Sequence, residues 1–295
     1  MYNITTNRLT SFLTVATLGL LATGVVRGDE LGVSFGDAAK ADTKSRQRIE
    51  AHRDLLVYRV DDVAVRADVF RPADEKTYPL VVMIHGGAWS SGDKWNLLNH
   101  AHEMAHAGFV AVSINYRLAP AHRWPAQIDD CRAGVRWAAE NASQWRADPE
   151  KIGIWGYSAG AHLAALITTR PEKGEPTYFA AALGGAPCEF SFIPASSSIL
   201  TPVMGGTRAE FPEVYRQASP LEFASKDVCP TFFFHGTTDA IVPQSSSRMM
   251  YQRLKELGVK TQYHSVEGHG HIVTFFDDKA RQLAIEFLQA HLPKR

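Results

Sequence analysis

Ile152-Gly153-Ile154-Trp155-Gly156-Tyr157-Ser158-Ala159-Gly160-Ala161-His162-Leu163 runs from a short apolar segment through a glycine-flanked serine into an apolar helical stretch. This order predicts a buried strand over 152–155, a sharp turn at Ser158 and a helix over 159–169. A tight strand-to-helix turn exposes the serine oxygen, and glycine on either side avoids side-chain collision, so the pattern G-x-S-x-G suits a nucleophile. Taken alone, the pentapeptide is also an ordinary Gly-flanked helix start with Ser158 as its cap. The surrounding chain has to decide.

Outward from this junction, short β-rich runs alternate with helical patterns. Residues 55–60 and 63–70 read as an antiparallel pair turning at Asp61-Asp62, and Leu80-Val81-Val82-Met83-Ile84 as a strand buried on both faces. Strands are expected at 109–114, 152–155, 179–183, 231–234 and 261–266. Helices are expected at about 95–107, 126–141, 159–169, 244–257 and 277–291. The alternation means α/β, a single doubly wound sheet of about 240 residues. Residues 187–227 carry neither periodicity and are rich in Ser, Pro and Gly, which predicts a small cap rather than a structureless loop.

The 295 residues contain 31 Lys plus Arg and 31 Asp plus Glu, so no basic excess is present to neutralise a phosphate backbone and nucleic acid is not an expected partner. Cys131, Cys188 and Cys229 match neither zinc-ligand spacing nor a disulfide framework. At the N-terminus, Arg8 precedes an apolar run from Ser11 to Val26, followed by Val26-Arg27-Gly28. Residues 1–28 therefore read as an export signal, which implies a secreted or periplasmic protein. The rival reading is a retained anchor, although the run falls short of the roughly 20 residues that span a bilayer. Residues 29–50 are polar and alanine-rich and read as a linker, and no later segment is apolar enough to span a membrane.

Two further stretches carry chemistry. His85-Gly86-Gly87-Ala88-Trp89 follows the third strand, where a loop of small residues can turn backbone N–H groups toward a developing oxyanion. Gly87, Ala88 and Ala159 are the expected donors, and Trp89 is the candidate substrate-facing ring, although an indole there can equally fill core. A serine nucleophile also needs a base and an orienting carboxylate, which in this fold class come late and in the order Ser, acid, His. Asp239 follows the strand 231–234 within His235-Gly236-Thr237-Thr238-Asp239, and Glu267-Gly268-His269-Gly270-His271 follows the last strand. Either His269 or His271 can serve as the base, but not both.

On these motifs the chain resembles the α/β-hydrolase esterases of the hormone-sensitive-lipase-like and secreted feruloyl and acetyl-xylan-esterase-like group. Asn115-Tyr116-Arg117-Leu118-Ala119-Pro120, Pro125-Ala126-Gln127-Ile128-Asp129-Asp130, Ala218-Ser219-Pro220-Leu221 and His235-Gly236-Thr237 add to the resemblance, which covers about residues 55–293. It departs at Ala88 and Ala161, where relatives often carry glycine, and at Asn115, where aspartate is usual. The resemblance implies an α/β-hydrolase fold over 51–295: a mostly parallel eight-stranded sheet flanked by helices, with a small cap at about 187–227. It also implies a Ser158-Asp239-His271 triad, because the base in these esterases commonly ends a G-x-G-H pattern, as His271 does. Acetyl or feruloyl esters of polysaccharide, or small acyl esters, are the implied substrates, with no metal or organic cofactor. Kynurenine formamidases are similar too, through His85-Gly86-Gly87 with Trp89 and through Ser158-Ala159-Gly160-Ala161-His162-Leu163. Their alignment on Ile272-Val273 favours His269 and keeps amide hydrolysis as an alternative; a third possibility is a binding module without activity.

His102-Glu103-Met104-Ala105-His106 spells the zinc-peptidase pattern H-E-x-x-H on a helical stretch. A zincin needs a third ligand, and Val112 stands where a metzincin would have histidine, so these residues read as a packing face. His100, His162 and His264 need no role beyond hydrogen bonding.

Overall fold

The computed structural model describes residues 47–294. The expected export signal and residues 29–46 of the expected linker lie outside the described residues. In chain order the elements are β1 (Ile49–Val60), β2 (Val63–Pro72), β3 (Tyr78–Ile84), α1 (Leu98–His106), β4 (Val110–Ile114), α2 (Ala126–Glu140), β5 (Ala147–Tyr157) and α3 (Ala159–Thr169). They continue with β6 (Tyr178–Gly184), α4 (Thr201–Met204), α5 (Pro212–Gln217), β7 (Thr231–Gly236), α6 (Gln244–Glu256), β8 (Thr261–Val266), α7 (His271–Phe275) and α8 (Asp278–Ala290).

The strands form one eight-stranded sheet in the order β1-β2-β4-β3-β5-β6-β7-β8. The pairs β1/β2 and β2/β4 are antiparallel, and every pair from β4 to β8 is parallel. The fold is the mostly parallel α/β sheet that the alternation of runs and helices predicts.

Side chains of β3 show why that strand reads as unbroken apolar sequence. Leu80, Val82 and Ile84 enter one core layer with Cys131 and Val135 of α2 and Leu163 of α3. Val81 and Met83 enter the other, with Ala101 and Met104 of α1 and Ala284 and Leu288 of α8. A strand covered on both faces has no polar position to alternate with. Because β4 lies on one side of β3 and β5 on the other, the winding reverses at β3, and the C-terminal ends of β3 and β5 open a crevice at the switch point. His85 and Ser158 follow those two ends.

Several elements differ from expectation, among them β5, which begins at Ala147 instead of 152. β1 begins at Ile49, with Ile49 opposite Pro72 and Glu50 opposite Arg71, so the last two residues of the expected linker belong to the sheet. The strand was unreadable there because it is an edge strand, mostly exposed or half-buried, and its register shifts between His52 and Leu55. Asp54, at φ 59°, sits in that irregularity and donates its N–H to Asp68 Oδ1 at 2.7 Å. α1 starts at Leu98 because Asp93 caps a preceding 3-10 turn: its carboxylate accepts from Trp95 N–H at 2.8 Å while Asn96 Oδ1 accepts from Asp93 N–H at 2.7 Å. The short helix α7, absent from the expected set, begins at His271 itself.

Within 187–227 the chain forms α4, α5 and a 3-10 turn over Pro220–Phe223. It is tied to the body by Trp124 N–H donating to Val203 O at 2.8 Å, and its two ends are joined by Leu221 N–H donating to Cys188 O at 3.0 Å. Cys131, Cys188 and Cys229 are free thiols. Among the described residues no helix is long and apolar enough to cross a membrane.

Candidate active site

Ser158 stands between β5 and α3 at φ 55° and ψ −123°. That conformation is strained for a residue with a Cβ, at a cost on the order of 1–3 kcal/mol, and persists only where the surroundings hold it. Ser158 N–H donates to Gly184 O on β6 at 2.8 Å, and Ser158 O accepts from His162 N–H at 3.0 Å, which starts the helix. Gly160 lies so near the end of β3 that a Cβ there would come within 2.0 Å of Ile84 O and 2.6 Å of His85 O. Glycine at this position is what lets the serine turn press against the loop after β3.

His271, the first residue of α7, lies with Nε2 2.8 Å from Ser158 Oγ and Nδ1 2.6 Å from Asp239 Oδ2. A carboxylate only accepts, so Nδ1 carries the hydrogen and Nε2 presents its lone pair to the serine hydroxyl. The Asp239 side chain is buried. Its Oδ1 accepts from the N–H groups of Ile241 and Val242, both at 2.9 Å, and its Oδ2 accepts from His271 and lies 3.1 Å from His235 Nε2, whose hydrogen also meets the Val242 carbonyl at 2.9 Å. Burial pushes this carboxyl up, but the donors from His235, His271 and Val242 outweigh it and hold the group below the usual carboxylate range.

His269 lies apart from this pair. Its Nδ1 is 3.5 Å from Asp277, while its backbone oxygen accepts from Thr238 N–H at 3.1 Å. The structure therefore brings His271, and not His269, to Ser158 and Asp239.

In the loop after β3, Gly87 O accepts from Ser90 N–H at 3.0 Å and Ser91 N–H at 2.9 Å, and Ala88 and Trp89 take φ values of 52° and 58°. This tight turn leaves the N–H groups of Gly87 and Ala88 unused, as is that of Ala159 at the start of α3, among the described residues. Tyr116 Oη donates to His85 O at 3.1 Å and Ala119 N–H to Trp89 O at 2.9 Å, bracing the loop from behind. Of the two readings of Trp89, its surroundings show the packed one. Its ring is 5% exposed and packs edge-on against His162, with its indole N–H donating to His162 Nδ1 at 3.1 Å. It is an anchor beneath the loop, not an open face toward solvent. His162 in turn donates from Nε2 to Ala218 O at 2.6 Å, and burial pushes its imidazole down to about 4. Trp124 lies tilted against the same histidine, 5.9 Å between ring centres.

The H-E-x-x-H residues do not converge. Glu103 is held by Arg281 at 2.8 and 3.0 Å, the ring of His102 leans on Phe70, and His106 is exposed. His100 bonds the Phe275 carbonyl at 3.1 Å, and His264 is half-buried on β8.

Three contributors to the site went unread in the sequence. Tyr157 donates its hydroxyl to His271 O, His235 bonds the Asp239 carboxylate, and Gly185, at φ 54°, passes directly beside the His271 ring. Only His235-Gly236-Thr237 carried any signal, as one of the stretches behind the family resemblance, with no role for His235.

Several known esterases are similar to this chain. The Esterase LipC of Mycobacterium tuberculosis is 30% identical over 277 residues, which cover 84% of this chain and 67% of LipC. The chain belongs to the hormone-sensitive-lipase-like α/β-hydrolase esterases. By that membership it is a carboxylesterase-type serine hydrolase. A BD-FAE family model matches residues 67–183 of the esterase, and a serine hydrolase (FSH1) model matches residues 139–282. The chain spans 50% and 52% of the length of two further curated relatives from the same organism, Esterase LipQ and the probable carboxylic ester hydrolase LipM. Among solved structures, a truncated carbohydrate esterase from gut microbiota superposes with a TM-score of 0.75 at 22% identity, covering 84% of this chain and 98% of that one. The native esterase Est2 of Thermogutta terrifontis gives 0.68 at 24% identity, covering 85% and 95%. At these identities the two structures speak for the fold alone.

Proposed function

We propose that Ser158 attacks the carbonyl carbon of a carboxylic ester, with His271 as its base and Asp239 as the carboxylate that orients the base. The carrying observation is the hydrogen-bonded series Ser158 Oγ to His271 Nε2 at 2.8 Å and His271 Nδ1 to Asp239 Oδ2 at 2.6 Å. As the Oγ–C bond forms, the hydroxyl proton passes to Nε2, and the imidazolium is stabilised by the buried anion. The carbonyl oxygen becomes an oxyanion within reach of the free N–H groups of Gly87, Ala88 and Ala159; one such donor is typically worth roughly 3 kcal/mol in the transition state. His271 then returns the proton to the leaving alcohol oxygen, and water, activated by the same base, releases the acid and restores Ser158.

For substrate and location, the reading is a secreted or periplasmic enzyme acting on acetyl or feruloyl esters of polysaccharide, or on small acyl esters. Support comes from the apolar run Ser11 to Val26 behind Arg8 and from the resemblance to secreted feruloyl and acetyl-xylan esterases.

The test is hydrolysis of p-nitrophenyl acetate by the full chain and by Ser158→Ala, followed by a panel of acetylated xylan, methyl ferulate and N-formylkynurenine. Ser158→Ala should fold normally and lose at least about 10³-fold in kcat, as expected when a covalent nucleophile is removed. Normal turnover by this variant would remove Ser158 from the mechanism. Hydrolysis of N-formylkynurenine in preference to every ester would replace the ester reading with an amide one. An intact mass near that of a chain starting at Asp29 in exported protein tests the location.

A further inference from the structure

His235 lies at the end of β7, fully buried at 0% exposure, four residues before Asp239. Its Nε2 faces two atoms that can only accept: Asp239 Oδ2 at 3.1 Å and the carbonyl oxygen of Val242 at 2.9 Å. Nε2 must therefore carry the ring hydrogen. Nδ1 then accepts, and its partner is Ser247 Oγ on α6 at 2.7 Å. The Ser247 hydroxyl also has the Gln244 carbonyl as an acceptor at 3.2 Å, and with its hydrogen on either acceptor Tyr263 Oη on β8, 2.9 Å away, can donate to Ser247 Oγ. His235 therefore stands between Ser247 and the carboxylate oxygen that holds His271, with its Nε2 hydrogen shared between that oxygen and the Val242 carbonyl.

We infer that His235 is a positioning residue for the ester hydrolysis, fixing the Asp239 carboxylate so that Oδ2 keeps one lone pair aimed at His271 Nδ1; this rests on the triad reading above. Backbone donors from Ile241 and Val242 hold Oδ1 but leave the plane of the carboxylate free to tilt at Oδ2. The His235 N–H closes that freedom. It also supplies a donor to an anion that would otherwise meet only His271 at this oxygen. The effect belongs to the transition state, where His271 becomes an imidazolium and its alignment with the anion matters most.

Asp239 is surrounded by groups from several elements: His235 on β7, His271 on α7, Tyr157 on β5 and Tyr263 on β8, the last beneath the Arg248 guanidinium of α6 at 4.7 Å. Of these, only the two histidines donate to the carboxylate. Removing His235 leaves the anion less stabilised, so Asp239 takes up a proton at higher pH and the acidic limb of activity moves upward.

The experiment compares His235→Leu, His235→Gln and Ser247→Ala with the unaltered full chain, measuring kcat, KM and the pH profile with p-nitrophenyl acetate alongside Ser158→Ala. His235→Leu should lower kcat by about 10 to 100-fold with KM nearly unchanged, the range expected for a misaligned catalytic group. Its acidic limb should move to higher pH. His235→Gln, whose amide N–H reaches the Nε2 position, should recover most of kcat and the original profile. Ser247→Ala should shift both readouts in the direction of His235→Leu, and it decides the matter together with His235→Gln if the leucine variant does not fold. A folded His235→Leu with unaltered kcat and profile, or equal losses in the Leu and Gln variants, overturns the inference. Should the leucine variant not fold, an unshifted profile in Ser247→Ala does so. Turnover retained by Ser158→Ala would instead sink the triad reading beneath it.

Discussion

The backbone of Gly185 runs against the imidazole of His271: a Cβ at position 185 would lie 2.9 Å from His271 Cε1 and 3.2 Å from the Tyr157 hydroxyl. Gly185 also takes φ 54°, a conformation in which any side chain is strained. Gly185→Ala should therefore push the imidazole away from Ser158 and lower kcat by about 10²-fold, the cost of a misplacement near 1 Å. Steady-state kinetics on a variant with normal circular dichroism check this, and a kcat close to the unaltered value would show that His271 is not held by this contact.

His271 and His269 separate cleanly by substitution. His271→Ala removes the group bonded to both Ser158 and Asp239, and kcat should fall by about 10³-fold or more. His269→Ala removes a ring that reaches only Asp277, and kcat should stay near that of the unaltered enzyme. The reverse ranking would transfer the role to His269.

Trp89→Phe keeps a ring of similar shape but deletes the N–H that satisfies His162 Nδ1 in a buried site. Leaving that nitrogen without a donor should cost about 1–3 kcal/mol, read as a lower urea midpoint. Because Trp89 adjoins Ala88, kcat should fall further than KM rises. An unchanged midpoint would mean that the bond adds nothing to the loop.

Acid should destabilise the fold well before the carboxylates titrate. Burial pushes His85, His100 and His162 each down to about 4 from an ordinary 6.5. Between those values the unfolded chain holds a proton that the folded chain refuses, so stability falls as pH drops from 6.5 toward 4 and is fully present above 6.5. Each histidine contributes on the order of 3 kcal/mol over the whole window. Asp239, held low in the folded state, adds a loss of the same sign further into acid. Urea titrations at pH 7, 6 and 5 should give steadily lower midpoints; equal midpoints would contradict the burial of these rings as neutral imidazoles.

How much of this could be read from the chain depends on whether the physics was local. Alternation of buried β runs with amphipathic stretches identified the α/β sheet, since a parallel strand covered on both faces, such as Leu80 to Ile84, must be apolar throughout. Glycines around Ser158 and in the loop at Gly86-Gly87 marked turns that few other residues can form, so both loops and their order along the chain were legible. Edge strand β1 was cut short because a strand with one neighbour and an exposed face needs no apolar pattern. His271 and His269 are two residues apart in nearly identical surroundings, and only the G-x-G-H resemblance favoured His271; what separates them physically is the first turn of α7 and the approach of Gly185 and Tyr157. Trp89 was equally open, because an indole suits a ligand face or a packed anchor, and its direction follows from His162 on another element. His235 shows the same limit: the bond that gives it meaning joins a strand end to a loop carboxylate, and its other side depends on α6 and β8 folding onto that strand.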